Sequence, residues 1–307
     1  YAQARTKSEE GVVAFECHVG QSFSSDSYQG ATTHYVRFVR KDVYTHGHQP
    51  VVVEQHARRT PESSAAFLLP HLKGWMRILD VGCGPGSITV GLARQVPDGE
   101  VVGIDVEPGI VAHARKQCAE TDAANVTFQE ESVYDLPYDD GSFDVVYAHQ
   151  VLQHLTDPVT ALNEIHRVVK PGGLVAVRDS DYYTMSRTPE SPLMDRWREL
   201  YCQVARHNGA EPDAGRHLYR WLRSAGFAKI TMSATCQVMV GEESRRNWGE
   251  SWAERCLVTD FASQAVGYGY ATQDELEEIA NGWRAWAEDP DGYLHYICDE
   301  GLGIRTG

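Results

Sequence analysis

Short apolar segments alternating with helical segments are the feature of this sequence that most constrains its fold. The segments predicted as strands are Arg77–Val81, Val101–Asp105, Val126–Gln129, Phe143–Ala148 and Leu174–Asp179. The segments predicted as helices between them are Ser87–Val96, Gly109–Glu120, Val151–Leu155 and Pro158–Val169. Strand–helix repeats at this spacing indicate parallel strands joined by helices, and consecutive apolar positions such as VVGI indicate burial on both faces. The sequence therefore predicts an α/β fold with a Rossmann-like, doubly wound sheet.

The segments on either side of this core carry other patterns. Thr60 as N-cap and Pro61 at the first helical position predict a helix that runs to about Leu69. Residues 182–225 and 242–288 are predicted to form helical insertions that cap the sheet. Two further strands are predicted beside them, and the C-terminal one is expected to be antiparallel. We predict an N-terminal extension with a lid segment over residues 1–48 and one enzyme domain over 49–307. The further strands and cap helices are Ile230–Gln237, Gly292–Glu300, Met194–His207, Gly215–Ser224, 242–266 and 272–288.

Charge and composition limit the partners of such a chain. Of the 307 residues, 28 are Lys or Arg and 43 are Asp or Glu, so the formal net charge is −15. Most of this surface repels a polyanion, which argues against nucleic-acid binding. No stretch has the ~18 to 20 apolar residues of a membrane span, so we expect no membrane partner. Seven cysteines without a Cys-x-x-Cys pair favour a reducing compartment, and we expect a cytoplasmic location. Because the chain begins at Tyr1, a removed leader stays open, as does the oligomeric state.

A glycine-rich loop follows the first strand of the core. The residues are Asp80-Val81-Gly82-Cys83-Gly84-Pro85-Gly86-Ser87. Such a loop lets the polar atoms of a ligand approach backbone N–H groups and a helix N-terminus. The spacing is Gly-x-Gly-x-Gly, whereas the dinucleotide fingerprint has Gly-x-Gly-x-x-Gly. A carboxylate at position 80 repels a pyrophosphate but can accept a hydrogen bond from an ammonium.

Asp105 ends the next strand, 19 residues beyond Gly86. A carboxylate there can accept both hydrogen bonds of an unphosphorylated ribose. Together with Asp80 it indicates a ligand that carries an adenosyl group and an amine rather than phosphates. S-adenosylmethionine (SAM) has these features.

At these residues the sequence resembles the class I SAM-dependent methyltransferases. The resemblance covers about residues 74–181 and includes ILDVGCGPGSITVGLA, VVGIDVEPGIVAHAR and FDVVYAHQVLQHLTDPVTALNEIHRVVKPGGLVAVRDSD. Within that superfamily the chain is similar to the methyltransferases of quinone biosynthesis. YTHGH, ARRTPESSAAFLLPHLK, EPDAGRHL and WRAWAEDPDGY resemble more particularly the fungal dithiol S-methyltransferases that act on gliotoxin-type epipolythiodioxopiperazines.

The resemblance implies SAM as cofactor, S-adenosylhomocysteine (SAH) as its product, and a set of binding residues. It also implies that YTHGH closes over SAM, with Tyr44 near its carboxylate. One position departs from the family pattern, because Glu131-Ser132-Val133 stands where the family has Gly-Asp-Ala. Since Ser132 can still accept a hydrogen bond, we expect adenine recognition to be weakened rather than lost. The predicted cofactor-binding residues are Tyr44, Asp80, Gly82, Cys83, Gly84, Gly86, Asp105, Val106, Ser132, Val133, His149 and Gln150.

The methyl acceptor and the chemistry at the transferred methyl are less constrained. His154, or else His149, is a candidate base or orienting donor near the acceptor, and a histidine that lines the pocket without a chemical role is an equal alternative. A metal site at His46 and His48 is not expected, because no carboxylate or Cys lies at ligand spacing. Tryptophans in the predicted cap favour a planar, apolar small molecule. We expect transfer to a thiol of a dithiol natural product, with O- or C-methylation of a quinone- or polyketide-like acceptor, or SAM binding without catalysis, as alternatives.

Overall fold

In the computed structural model, which describes residues 42–307, seven strands form one mixed sheet. The first five strands along the chain are joined by parallel pairing, and the C-terminal strand is antiparallel to both strands beside it. This confirms the predicted doubly wound, mostly parallel sheet with an antiparallel C-terminal strand. The strands are β1 (Arg77–Val81), β2 (Glu100–Asp105), β3 (Val126–Glu130), β4 (Phe143–His149), β5 (Val169–Thr188), β6 (Ala228–Met239) and β7 (Tyr293–Ile304), and their order in the sheet is β3-β2-β1-β4-β5-β7-β6.

Ten α-helices belong to the described part of the chain. Five of them come before β5 in the chain and five come after it. The helices are α1 (Pro50–Ala57), α2 (Pro61–Ser64), α3 (Ser87–Gln95), α4 (Pro108–Ala119), α5 (Pro158–Val168), α6 (Pro192–His207), α7 (Leu218–Ser224), α8 (Glu242–Val258), α9 (Asp260–Gly267) and α10 (Gln273–Glu288).

Alternation along the strands divides the sheet core into two layers. Leu79 and Val81 of β1 pack on the face that α5 and α7 cover. Ile78 of the same strand packs on the opposite face, against α3. Successive side chains of a strand point to opposite faces, so each short apolar strand supplies both cores. Both faces are therefore covered and the strand ends are left for a ligand.

A separate core holds the cap. Residues of α6, α8, α9 and α10 pack together around Trp197, Trp252 and Trp283, each of which is at most 1% exposed. α7 was expected in the cap, but its Leu218, Trp221 and Leu222 pack in the sheet core instead. The ends of β5, β6 and β7 reach this region, where Ser186 of β5 and Val238 of β6 both pair with His295 of β7. These three strands therefore connect the sheet to the cap.

The helix predicted from Pro61 to about Leu69 is wrong. α2 starts as expected, with Thr60 and Ser63 in a capping box, but it ends at Ser64. Ala65 leaves the helical region, at φ −131°, and both Ala65 and Leu68 are fully buried against the sheet. Packing of these side chains on the sheet overrides the helix propensity of the segment. A 3-10 turn then forms at Leu69–His71.

Three other boundaries differ from the sequence prediction. The segment predicted as a helix at Val151–Leu155 is a single 3-10 turn, Leu152–His154. The long helix predicted over 242–266 is divided between α8 and α9 at Thr259, which has an extended backbone. β5 spans Val169–Thr188 rather than Leu174–Asp179, and the expected turn at 170–173 lies in an irregularity of the β4–β5 register.

Residues 1–41, which make up most of the predicted extension, lie outside the described residues. From residue 42 onward, the chain contains no helix with the length and apolar character needed to cross a membrane.

Candidate active site

The glycine-rich loop joins β1 to α3 and forms one wall of a cavity. Gly82, Gly84 and Gly86 have positive φ angles of 64°, 54° and 85°, which glycine adopts without strain. A Cβ on Gly82 would lie 2.4 Å from the Val151 side chain, and one on Gly86 would lie 2.8 Å from the Phe128 ring. A Cβ on Gly84 would meet nothing within 4 Å. Gly82 and Gly86 are therefore required by internal packing, whereas Gly84 borders space that a ligand can fill.

The cavity has a volume of about 210 Å³ and lies at the carboxyl ends of the parallel strands, where ligands of such sheets bind. Of the predicted site residues, Gly86 does not line it, because its position at the start of α3 faces Phe128. The structure brings all the others together: Tyr44, Asp80, Gly82, Cys83, Gly84, Asp105, Val106, Ser132, Val133, His149, Gln150 and His154.

Asp80 places a buried carboxyl at the cavity wall. Its side chain is 3% exposed, and Oδ2 accepts a hydrogen bond of 2.6 Å from Thr89 Oγ1. Burial raises the pKa of Asp80 to about 7, although the hydrogen bond from Thr89 lowers it. An ammonium at this wall would stabilise the ionised carboxylate. Asp80 is therefore suited to bind the amine of a ligand.

Asp105 lies at the end of β2 and holds the loop in place. Its Oδ2 accepts from the Gly84 N–H and its Oδ1 from the Glu107 N–H, both at 3.1 Å. Burial raises its pKa, and the two backbone hydrogen bonds oppose that shift. A carboxylate has about four acceptor positions, so Asp105 can accept further hydrogen bonds from ribose hydroxyls.

The end of the cavity beside Asp105 has apolar walls. Val106, Ile110 and Val133 line it, and Val133 is 6% exposed. Ser132 Oγ already accepts a hydrogen bond of 3.3 Å from the Tyr134 N–H. A hydroxyl has one donor and two acceptor positions, so Ser132 can still bond an adenine edge. This part of the cavity suits a flat heteroaromatic ring.

The end of β4 places two polar side chains in the cavity. Gln150 has a positive φ of 54°, an uncommon conformation outside glycine that clusters at functional sites. Its Nε2 donates to Ser180 Oγ at 2.7 Å, and its Oε1 accepts from Arg59. His149 lies 3.5 Å from Arg178, measured between Nδ1 and NH1. Burial and the charges of Arg59 and Arg178 hold the pKa of His149 well below its usual value.

His154 lies at the end of the 3-10 turn after β4. Its Nε2 is 3.0 Å from Gln153 Nε2, and its ring makes an edge contact with Tyr44 at 4.8 Å between centroids. Burial, together with the charges of Arg59 and His48, lowers the pKa of His154 to about 3. His154 is therefore neutral near pH 7 and a weak base.

Residues 42–48, the predicted lid segment that falls within the described residues, are anchored on the cap. Thr45 is fully buried and its Oγ1 accepts from Asn208 Nδ2 at 3.0 Å. His46 is 5% exposed and its Nε2 lies 2.9 Å from the Tyr201 hydroxyl. These contacts place Tyr44 against the cavity.

A second, smaller cavity of about 30 Å³ lies between the first cavity and the cap. We call it the cap chamber. It shares five wall residues with the first cavity and adds aromatic and polar residues of the cap. The shared residues are Tyr44, His56, Arg59, Gln150 and His154, and the others are His46, Gln55, Tyr182, Trp248, Trp252, Arg255 and Tyr296.

Sequence reasoning did not identify the cap chamber. A signal for it exists in α8, where Trp248, Trp252 and Arg255 follow one another at i, i+4 and i+7. This spacing places them on one face of a helix, and an arginine within an aromatic face is unusual for a plain core. Gln55 and His56 carry no comparable signal, since α1 itself was not predicted.

The residues of the first cavity fit SAM. The open side of Gly84 leaves room for close approach to the backbone. Asp80 and Asp105 supply carboxylates for an amine and a ribose, and the apolar end suits an adenine. Among residues 42–307 no three His, Cys, Asp or Glu side chains are grouped so that they could hold a metal ion.

Comparisons with known proteins agree with this geometry. Residues 72–226 match the family model described as a methyltransferase domain. The chain is 34% identical over 258 residues to an uncharacterized methyltransferase of Schizosaccharomyces pombe, a match that covers 81% of this chain and 91% of the relative. The YcgJ protein of Bacillus subtilis has a similar fold, with a TM-score of 0.52 and 18% identity, over 79% of this chain and 97% of that one.

Two other relatives have more specific names. An O-methyltransferase of Penicillium expansum is 37% identical over 161 residues, which cover 51% of this chain and 53% of the relative. A demethylmenaquinone methyltransferase of Lactococcus lactis is 35% identical over 127 residues, which cover 41% and 48%. The family match and the full-length relative settle the class: this chain belongs to the class I SAM-dependent methyltransferases, and SAM is its cofactor.

Proposed function

We propose that the protein transfers a methyl group from SAM to a thiol of a small hydrophobic dithiol, the acceptor class of the gliotoxin-type enzymes that its sequence resembles. The observation that carries this proposal is the weakness of the bases where the two cavities meet. His154 borders both cavities and has a pKa of about 3. His56 also borders both, and burial and the charge of Arg59 hold its pKa well below the usual value.

Weak bases select acceptors that ionise without help. A thiol has a pKa of ~8.5 and is partly ionised near neutral pH, whereas an aliphatic hydroxyl needs a committed general base. This environment supports a thiolate, and it argues against an alcohol.

The cofactor would be held by groups on both sides of the first cavity. When bound, SAM supplies a methyl group on a sulfonium, and its loss leaves the neutral thioether SAH. Asp80 would bind the ammonium, Asp105 the ribose hydroxyls, and Ser132 and Val133 the adenine. Arg59 would pair with the carboxylate, beside Tyr44.

The remaining residues would orient the acceptor and exclude water. Gln150, fixed by Arg59 and Ser180, and His154, held by Gln153, present polar atoms at the meeting point of the two cavities. The buried Thr45 and His46 hold residues 42–48 over the cavity wall and separate it from solvent. Orientation and dehydration are the main requirements for transfer from an already activated methyl group.

The second candidate is O- or C-methylation of an acidic phenol, enol or quinol. The O-methyltransferase relative from Penicillium expansum and the demethylmenaquinone methyltransferase relative favour it. Such acceptors also ionise more readily than an alcohol, so the weak bases of the site do not argue against them.

An acceptor panel separates the two candidates. Purified protein is incubated with SAM carrying a trideuterated methyl group and with a reduced dithiol, a phenol or a quinol of similar size, and products are identified by mass spectrometry. We expect label on sulfur of the dithiol. The matched control is the same compound oxidised to its disulfide, which should not be labelled. Label on oxygen or carbon alone would contradict the thiol assignment.

A further inference from the structure

Arg255 is a buried cation on the wall of the cap chamber. It is 3% exposed, and its guanidinium lies 4.9 Å from the centre of the Trp252 ring. NH2 donates to Gln55 Oε1, and NH1 lies 3.3 Å from His46 Nδ1. Both of these partners are neutral groups, since burial holds the pKa of His46 well below its usual value.

No carboxylate balances this charge within residues 42–307. Arg255 takes part in none of the ion pairs formed among these residues. A buried charge without a partner is costly. The arrangement is therefore expected where a ligand supplies the opposite charge.

The buried polar atoms of the chamber walls that lack a hydrogen-bond partner are all donors. Arg255 Nε, Trp248 Nε1 and Trp252 Nε1 are buried and have no hydrogen-bond partner, and all three side chains line the chamber. Buried polar groups are normally hydrogen-bonded. Donors left unpaired beside a cation match a ligand group that only accepts hydrogen bonds.

Arg255 lies away from the point where the methyl group is transferred. With SAM in the first cavity, the methyl group would be transferred where the two cavities meet, and Arg255 lines the cap chamber alone. We propose that the cap chamber binds an anionic group of the methyl acceptor through Arg255, at a distance from the atom that is methylated. Because the chamber has a volume of only about 30 Å³, it would hold the anionic group itself, and the body of the acceptor would extend toward the first cavity.

This inference rests on the proposed function, because it assumes that the first cavity holds SAM. A binding experiment tests it without turnover. The protein is saturated with SAH, so that Arg59 is engaged, and is titrated calorimetrically with benzoate and with benzamide, which has the same shape without the charge. We expect benzoate to bind about tenfold more tightly or better, as for hydrogen bonds to a charged group.

Variants locate the anion. Arg255→Met should remove the preference for benzoate and leave benzamide and SAH affinity within about threefold. Arg246→Met, on the same helix but outside both cavities and in exposed ion pairs, removes the same charge and should leave the preference unchanged. If Arg255→Met no longer binds SAH, Arg255→Gln takes its place.

Two results would overturn the inference. One is equal affinity of the SAH-loaded wild-type protein for benzoate and benzamide, or no binding of either. The other is an Arg255 variant that still prefers benzoate, which would place the anion on Arg59. Failure of the wild-type protein to bind SAH would instead contradict the proposed function.

Discussion

Protonation of Asp80 is expected to control how tightly the protein binds SAH. Burial raises the pKa of this carboxyl from 3.8 to about 7, so ionising it in the free protein costs on the order of 4 kcal/mol more than in water. The ammonium of bound SAH stabilises the carboxylate, and binding is therefore coupled to loss of a proton. Between pH 4 and 7 the ligand-free fold also loses stability as pH rises, because only the folded state retains the proton.

The coupling predicts a specific pH profile. Above pH 7 Asp80 is already ionised and affinity should be constant until the ligand amine titrates. Below pH 7 affinity should fall by about tenfold for each pH unit, the equivalent of about 1.4 kcal/mol. Calorimetric titration with SAH from pH 5.5 to 8, in two buffers of different ionisation enthalpy, measures both the affinity and the protons released, which should be about half a proton per SAH at pH 7.

Thr89 provides the matched control for this profile. Thr89→Val has almost the same shape but removes the 2.6 Å hydrogen bond that lowers the pKa of Asp80. The midpoint of the pH dependence of SAH affinity should therefore move above pH 7 in this variant. Asp80→Asn should bind SAH weakly at every pH, and its affinity should show no midpoint. A flat profile in the wild-type protein, or a midpoint that moves down in Thr89→Val, would refute the reasoning.

Three further outcomes are expected. Gly86→Ala would be strained by its φ and would contact the Phe128 ring, so it should lower the free energy of unfolding in urea by about 2–4 kcal/mol. Gly84→Ala should lower the free energy of unfolding by only about 1 kcal/mol, yet it should weaken SAH binding measured by calorimetry. Equal losses of stability would contradict this division. His154→Ala should lower kcat without changing its dependence on pH between 5 and 8, because His154 does not titrate there; loss of a limb from the pH–rate profile would show that it does. Asp105→Asn should remove the preference for SAH over its 2′-deoxy analogue, measured by competition, and a retained preference would place the ribose elsewhere.

The sheet and the position of the cofactor cavity could be predicted because local and tertiary signals agree there. β1 begins and ends at the predicted residues, and β2, β3 and β4 each differ from the prediction by one residue at one end, whereas β5 extends well beyond its predicted bounds at both ends. The carboxyl ends of parallel strands meet at one edge, so Asp80 and Asp105 had to lie near each other once the strand order was fixed. The spacing of Gly82, Gly84 and Gly86 identified the loop between them.

The cap chamber could not be predicted because it depends on contacts between distant segments. Arg255 meets Gln55 across 200 residues of sequence, and no local pattern specifies that pairing. The same applies to Ala65 and Leu68, whose burial on the sheet ended a helix that local propensity favoured. The pKa of His154 likewise comes from surroundings that the motif around it does not encode.

The extension of β5, β6 and β7 into the cap has a consequence for how such a protein can change. The walls of the first cavity come mainly from the sheet edge, whereas the aromatic walls of the cap chamber come mainly from the cap, whose interior is packed separately. Substitutions inside the cap can therefore change the shape of the cap chamber while the first cavity keeps its dimensions. The ends of β5, β6 and β7 are shared by the sheet and the cap, so substitutions there would affect both.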